Sequence, residues 1–138
     1  MTCTRAFHFS AGHRLLHHEG KCAHPHGHNY IAEITVEGAL DKLGRVVDFA
    51  VVKQEVGAWI DTHWDHAFVI NAHDHDLLAA FELRPEWRRF LMDGNPTAEN
   101  MARHLFLTCV DLLEPYGVDI RRVRMHETRD CYADALSD

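Results

Sequence analysis

Apolar and polar residues alternate with a period of two along Thr4–Ala11 (TRAFHFSA), a run with two Phe that predicts a strand. The alternation stops in the polar stretch Gly12–Lys21, which reads as a loop, and returns at His28–Glu37, a second strand rich in Tyr, Ile, Thr and Val. Gly38–Gly44 reads as a turn and Arg45–Asp48 as a short strand. The period then lengthens. Val52, Val56, Trp59, Ile60 and His63 recur at three- and four-residue intervals, which predicts a helix over about Ala50–Thr62 with Asp48 as its N-cap. His73–Asp76 reads as a loop, and Leu77–Trp87 fits neither period. Phe90–Met92 reads as a short strand before the turn Asp93-Gly94-Asn95-Pro96. Thr97 can cap a second helix running to about Glu114, with Met101, Leu105, Thr108 and Leu112 on one stripe. Pro115 and Gly117 end it, and Ile120–Thr128 is the last strand. With no repeats or linkers, residues 1–138 read as a single domain. The element order favours an α+β fold with helices on one side of an antiparallel sheet.

Composition narrows the function classes. A chain of 138 residues with 46% hydrophobic and 25% charged residues can bury its own core and is not disordered. Lys plus Arg against Asp plus Glu gives 14 − 21 = −7, with no basic stripe, which argues against a nucleic-acid binder. No apolar run approaches the roughly 18 residues of a membrane span, and the start lacks the apolar segment of a signal peptide. The expectation is a cytoplasmic protein with no membrane partner. Cys3, Cys22, Cys109 and Cys131 form no C-x-x-C pair, so free thiols are expected rather than a zinc knuckle or a redox motif.

The 13 histidines are the unusual feature. His26 and His28 lie two apart on a strand and project to one face, and a hairpin between the first two strands brings His13 near them. Three His with an open fourth position is the pattern of a catalytic zinc. His24 shares the alternation and is a rival ligand, and H-x-H pairs also arise by chance in a His-rich chain. His17, His18, His73 and His75 read as exposed loop residues. Cys22 lies just before this group, and a cation nearby would favour its thiolate as a base or nucleophile; the alternative is an inert loop cysteine. Asp65-His66 reads either as an acid–base pair or as an exposed dipeptide. Val123, Met125 and Glu127 share one face of the last strand, with Arg122, Arg124 and His126 on the other. If that first face is the core side, Glu127 needs donors: the guanidine-like edge of a planar ligand, or a neighbouring Arg or Lys.

Several segments together resemble one family. These are Phe7-His8-Phe9-Ser10-Ala11-Gly12-His13, Cys22-Ala23-His24-Pro25-His26-Gly27-His28-Asn29-Tyr30, Gly44-Arg45-Val46-Val47-Asp48-Phe49, Asp65-His66 followed by Asn71, Asn95-Pro96-Thr97-Ala98-Glu99-Asn100, and Glu127-Thr128. In this order they are similar to the 6-pyruvoyl-tetrahydropterin synthase and 6-carboxytetrahydropterin synthase family, over nearly the whole chain. The resemblance implies a tunnelling fold: a four-stranded antiparallel sheet with two helices on one face, subunits joined edge to edge into a β-barrel, and a homohexamer of two stacked trimers with active sites between subunits. It implies one Zn2+ per chain on His13, His26 and His28. It implies Cys22 as proton acceptor, Asp65 and His66 as its relay, and Glu127 as the anchor of the pterin's aminopyrimidine edge. Thr97, Ala98 and Glu99 are implied as substrate contacts.

Within the family, the animal pyruvoyl-forming enzymes have a longer spacer between the Cys and H-G-H, whereas here only Ala23 to Pro25 intervene, as in the bacterial carboxy-forming branch. Cys22 argues against a third branch that carries Glu near that position. Trp64 in place of Leu before Asp-His, the extra imidazole of His24, and a long 72–93 segment depart from the pattern. The implied reaction converts 7,8-dihydroneopterin triphosphate to 6-carboxy-5,6,7,8-tetrahydropterin, acetaldehyde and triphosphate, towards queuosine. The alternatives are the pyruvoyl-forming sister reaction and a non-catalytic zinc- or pterin-binding module. A polyanionic substrate on an acidic chain calls for local cations, with Arg14, Lys21 and Arg103 as candidates.

Overall fold

The first two strands of the computed structural model, which describes residues 1–138, pair over their full lengths. β1 (Thr2–His13) and β2 (His26–Glu37) run antiparallel in register from Thr2↔Glu37 to His13↔His26. The pairing carries both strands further than their alternation alone suggests. It converts Gly12 and His13, expected in a loop, into the end of a strand. β5 (Asp119–His126) continues the sheet antiparallel to β2, and β6 (Tyr132–Leu136) continues it antiparallel to β5. These four strands are the expected antiparallel sheet. Two short strands, β3 (Ala67–Asn71) and β4 (Arg89–Met92), extend it in parallel on the other side of β1, giving the order β4-β3-β1-β2-β5-β6.

The first helical run starts behind Asp48, whose carboxylate accepts from the Ala50 N–H at 2.9 Å. It comprises α1 (Phe49–Val52), a π turn (Lys53–Gly57) and α2 (Ala58–His63). Val52, Val56 and Ile60 are buried as expected, with Trp59 and His63 half-buried. The second long helix, α4 (Ala98–Leu113), starts behind Thr97, whose hydroxyl accepts from Asn100 N–H at 3.1 Å. Caps of this kind stabilise by about 1 kcal/mol each. The buried stripe of α4 is Ala98, Met101, Ala102, Leu105, Cys109 and Leu113. The stripe predicted through Thr108 and Leu112 is therefore one residue out of phase beyond Leu105, and those two are half-buried. Burial pushes the Cys109 thiol pKa up to about 12, so it packs as a small apolar group.

These helices and the inner faces of the strands share one core of Phe9, Tyr30, Ala32, Ile34, Trp64, Met101, Leu105, Val123 and Met125, among others. A short helix, α3 (His75–Glu82), packs separately. Leu77 and Phe81 meet Ile70 and Phe68 of β3, whose intervening Val69 points into the main core. Strand alternation thus places α3 on the opposite sheet face from the other helices. The residues read as a loop at His73–Asp76 therefore contain a helix start, with Asp74 as the cap accepting from Leu77 N–H. The expected strand Arg45–Asp48 is absent. Asp41 takes the N–H groups of Leu43 and Arg45 on its carboxylate and closes a turn, and Val46 and Val47 pack on the core without a ladder.

Candidate metal centre and its groove

The ends of β1 and β2 carry the site. His13, His26 and His28 lie on the helix-facing side of paired strands, and Glu127 arrives from the turn after β5, where its N–H donates to Cys131 carbonyl at 3.0 Å. One ligand atom from each of His13, His26, His28 and Glu127 falls within 4.8 Å of the others. His24, the rival, lies outside this group. Its carbonyl instead accepts from His26 Nδ1 at 2.7 Å.

The donor chemistry fits a bound cation. His13 Nδ1 lies 2.7 Å from the Pro96 carbonyl, and His26 Nδ1 lies 2.7 Å from that of His24. A carbonyl only accepts, so each Nδ1 carries the proton and each Nε2 presents a lone pair. Those two Nε2 atoms face each other at 3.0 Å. Two lone pairs at that distance repel unless a cation lies between them. His28 Nε2 is buried without a hydrogen bond, although Glu127 Oε1 approaches it at 2.8 Å outside hydrogen-bond geometry. Imidazoles oriented by backbone carbonyls are the usual second layer of a metal site. Buried His13 has its pKa lowered by burial first, with His26 and His28 adding to it while the Pro96 carbonyl and Glu127 oppose. A neutral ring suits ligation. Tyr30 OH contacts His13 Nδ1 at 3.2 Å, and its phenol is pushed up by burial and by Glu127, so it stays protonated.

Asp65 and His66 do face each other. His66 Nδ1 lies 3.0 Å from Asp65 Oδ1, which also accepts from Ser10 N–H at 3.0 Å. Burial alone would raise the Asp65 pKa, but the Ser10 N–H, His66 and Arg88 outweigh it and hold the carboxyl below its ordinary value. His66 takes φ of 59°, an uncommon conformation for a non-glycine residue that costs about 1–3 kcal/mol. His66, without Asp65, opens on a groove of about 770 Å³, lined also by His26, His28, Phe68, Trp87 and Arg88 among others. Gly12 and Gly27, paired across the strands, also line it; a Cβ at Gly12 would stand 2.5 Å from the Phe68 ring.

Cys22 sits in a single 3-10 turn (Lys21–Ala23) with a half-buried free thiol that is neither in the four-residue cluster nor on the groove wall. Thr97 caps α4, Ala98 is buried beneath it, and the preceding Pro96 carbonyl holds His13, so this helix start abuts the cluster through its backbone. Glu99 is exposed and lines another groove with Arg103 and Asp134. Of the candidate cations, Arg14 is engaged with Asp74 through two charge-assisted contacts and Lys21 is exposed beside Cys22. Arg88 is the one Arg or Lys on the wall of the main groove. Neither Arg88 nor the Pro96 carbonyl was legible as a functional group in the sequence, although Pro96 belongs to the Asn95–Asn100 motif.

Fold and site together define an α+β protein with a histidine-rich, metal-competent cluster at the end of a β-hairpin. The sequence pattern described as 6-pyruvoyl tetrahydropterin synthase matches residues 2–137. A 6-carboxy-5,6,7,8-tetrahydropterin synthase of Rickettsia bellii is 34% identical over 134 residues, covering 96% of this chain and 97% of that protein. One of Haemophilus influenzae is 28% identical over 95% of both chains. Among solved structures, the 6-pyruvoyl tetrahydropterin synthase of Caenorhabditis elegans superposes with a TM-score of 0.71 at 27% identity, covering 100% of this chain and 96% of that one. An uncharacterized protein of Wolinella succinogenes gives 0.87 at 22% identity, over 100% and 98%, which speaks to the fold alone. The chain belongs to the 6-pyruvoyl tetrahydropterin synthase family, enzymes of pterin synthesis. No helix is long and apolar enough to cross a membrane.

Proposed function

We propose that this protein is a zinc-dependent 6-carboxy-5,6,7,8-tetrahydropterin synthase that converts 7,8-dihydroneopterin triphosphate to 6-carboxytetrahydropterin, acetaldehyde and triphosphate, in the cytoplasm and on the route to queuosine. The observation that carries the reading is the set of three imidazoles and one carboxylate whose ligand atoms lie within 4.8 Å. The names of its relatives and the short Cys22–His26 spacing support the carboxy-forming product over the pyruvoyl-forming one.

His13, His26 and His28 hold the metal. When bound, zinc supplies Lewis acidity to the substrate's side-chain hydroxyls and lowers their pKa. Cys22 takes the carbon-bound proton as a thiolate, and His66, oriented by Asp65, receives and returns protons. Within one chain the thiol lies off the groove wall, so the reading joins Cys22 to an Asp65–His66 pair across a subunit junction. Glu127 turns from the cluster to the aminopyrimidine edge of the pterin, whose two N–H donors match a carboxylate. Thr97 and Ala98 offer backbone contacts beside it, and Glu99 adds to them from a neighbouring face.

The test is a product assay by mass spectrometry on zinc-loaded protein with 7,8-dihydroneopterin triphosphate. Acetaldehyde with 6-carboxytetrahydropterin is the expected result. A pyruvoyl product would move the protein to the sister reaction. Absence of turnover with one zinc per chain would leave a binding module.

A further inference from the structure

We propose that Arg88 is a positioning residue for the Asp65–His66 pair. The proposal rests on the reading that His66 relays protons. The Asp65–His66 turn follows directly on α2, whose last carbonyls have no intrahelical partner. Arg88 Nη2 meets that need from outside the helix: its two hydrogens are shared among the carbonyls of Asp61 at 2.9 Å, Thr62 at 3.0 Å and Asp65 at 3.1 Å. The first two belong to the last turn of α2, and the third belongs to the residue whose side chain orients His66. Arg88 is itself anchored, because its carbonyl accepts from Phe68 N–H at 3.0 Å beside the β3–β4 ladder. The guanidinium therefore ties the segment leading into β4 to the segment that carries the pair.

The turn needs such a tie. His66 holds φ of 59°. A non-glycine residue keeps that conformation only where its surroundings over-determine it. On one side Ser10 fixes it: the His66 N–H donates to Ser10 carbonyl at 2.7 Å, and the Ser10 N–H donates to Asp65 Oδ1 at 3.0 Å. On the other side Arg88 fixes the backbone of Asp65. A planar guanidinium serves carbonyls in fixed directions, which a lysine ammonium on a mobile stem does not.

A double-mutant cycle on the zinc-loaded enzyme tests this. Misplacing a catalytic group by about 1 Å costs up to about 10²-fold in rate, so Arg88→Ala is expected to lower kcat by about 10- to 100-fold with KM within about twofold. Zinc per chain stays unchanged, and Arg88→Lys recovers part of kcat. In a His66→Ala background, Arg88→Ala is expected to cost less than about twofold, because the group it positions is gone. Multiplying losses would overturn the proposal. So would a raised KM with kcat intact, which would make Arg88 an anion-binding residue. Hydrogen exchange gives a readout independent of turnover: the His66 amide is expected to exchange faster in Arg88→Ala, while the core amides of Ile34 and Leu105 stay protected. If the wild-type enzyme does not turn over dihydroneopterin triphosphate, the reaction assignment fails, yet the His66 amide still decides. Faster exchange supports the clamp and unchanged exchange overturns it.

Discussion

A single carbonyl sets the chemistry of the cluster. Pro96 cannot donate from its own nitrogen, and its carbonyl, 2.7 Å from His13 Nδ1, fixes which nitrogen of that ring faces inward. The three imidazoles were legible in the sequence because a strand repeats every two residues and a hairpin folds one strand on the next. The backbone groups that orient them were not, since a carbonyl leaves no mark in the residue alphabet. Cys22 is the opposite case, a residue picked out by sequence that the fold of one chain leaves apart from the cluster. The two roles separate by measurement. Cys22→Ala is expected to retain one zinc per chain by metal analysis and to lose turnover by at least about 10²-fold, the scale of a general base. Lost zinc would make the thiol a ligand, and full activity would remove it from the mechanism.

At the scale of elements, strong periodicity was readable and short pieces were not. The two long helices show themselves through apolar recurrence and capping residues. β3 is five residues long and buried on both faces, so AFVIN carries no alternation to read. β6 is equally short, and YADAL holds one strong β-former; it exists because the turn at Glu127–Cys131 returns it to β5. Arg45–Asp48 looks extended and apolar, but Asp41 and the cap role of Asp48 claim the backbone on either side.

The contact between α2 and α4 carries a pH dependence. His104 of α4 packs against Trp59, Trp64 and Phe90, with His63 nearby on α2. Burial, and then His63, lower its pKa from the ordinary value. The unfolded chain, with His near about 6.5, then binds the proton more readily than the folded one. The contribution of His104 is present above that value and is lost as pH falls through the lower, folded one. Thermal melts of zinc-free protein between about pH 7 and pH 5 are expected to show Tm falling with pH, and His104→Phe is expected to reduce the slope. An unchanged slope would place the titrating group elsewhere.

For the whole molecule the open question in the fold is what its sheet edges meet. Beyond Ala11 and Gly12, which pair with β3, the outer edge of β1 has no strand beside it, and β6 ends the sheet on the other side. Unpaired edges of this length invite another chain. Ladder alternation says which groups are free. Ser137 N–H donates inward to Arg121 carbonyl, so the neighbouring Leu136, 65% exposed, turns its N–H outward. In the barrel that the family resemblance implies, subunits join edge to edge, and these are the two open edges, so β6 of one protomer is expected to meet β1 of another. Leu136→Pro removes one outward donor without touching the β5 ladder, because proline is tolerated on the solvent side of an edge strand. Light scattering is expected to report a hexamer for the wild-type protein and a shift to smaller species for Leu136→Pro. Leu136→Ser, which keeps the N–H, should retain the assembly. Turnover should fall with assembly, since the thiol and the Asp65–His66 pair meet across subunits in the proposed site. An intact hexamer in Leu136→Pro would mean that the barrel closes through a different edge, and an active monomer would mean that one chain completes the site alone.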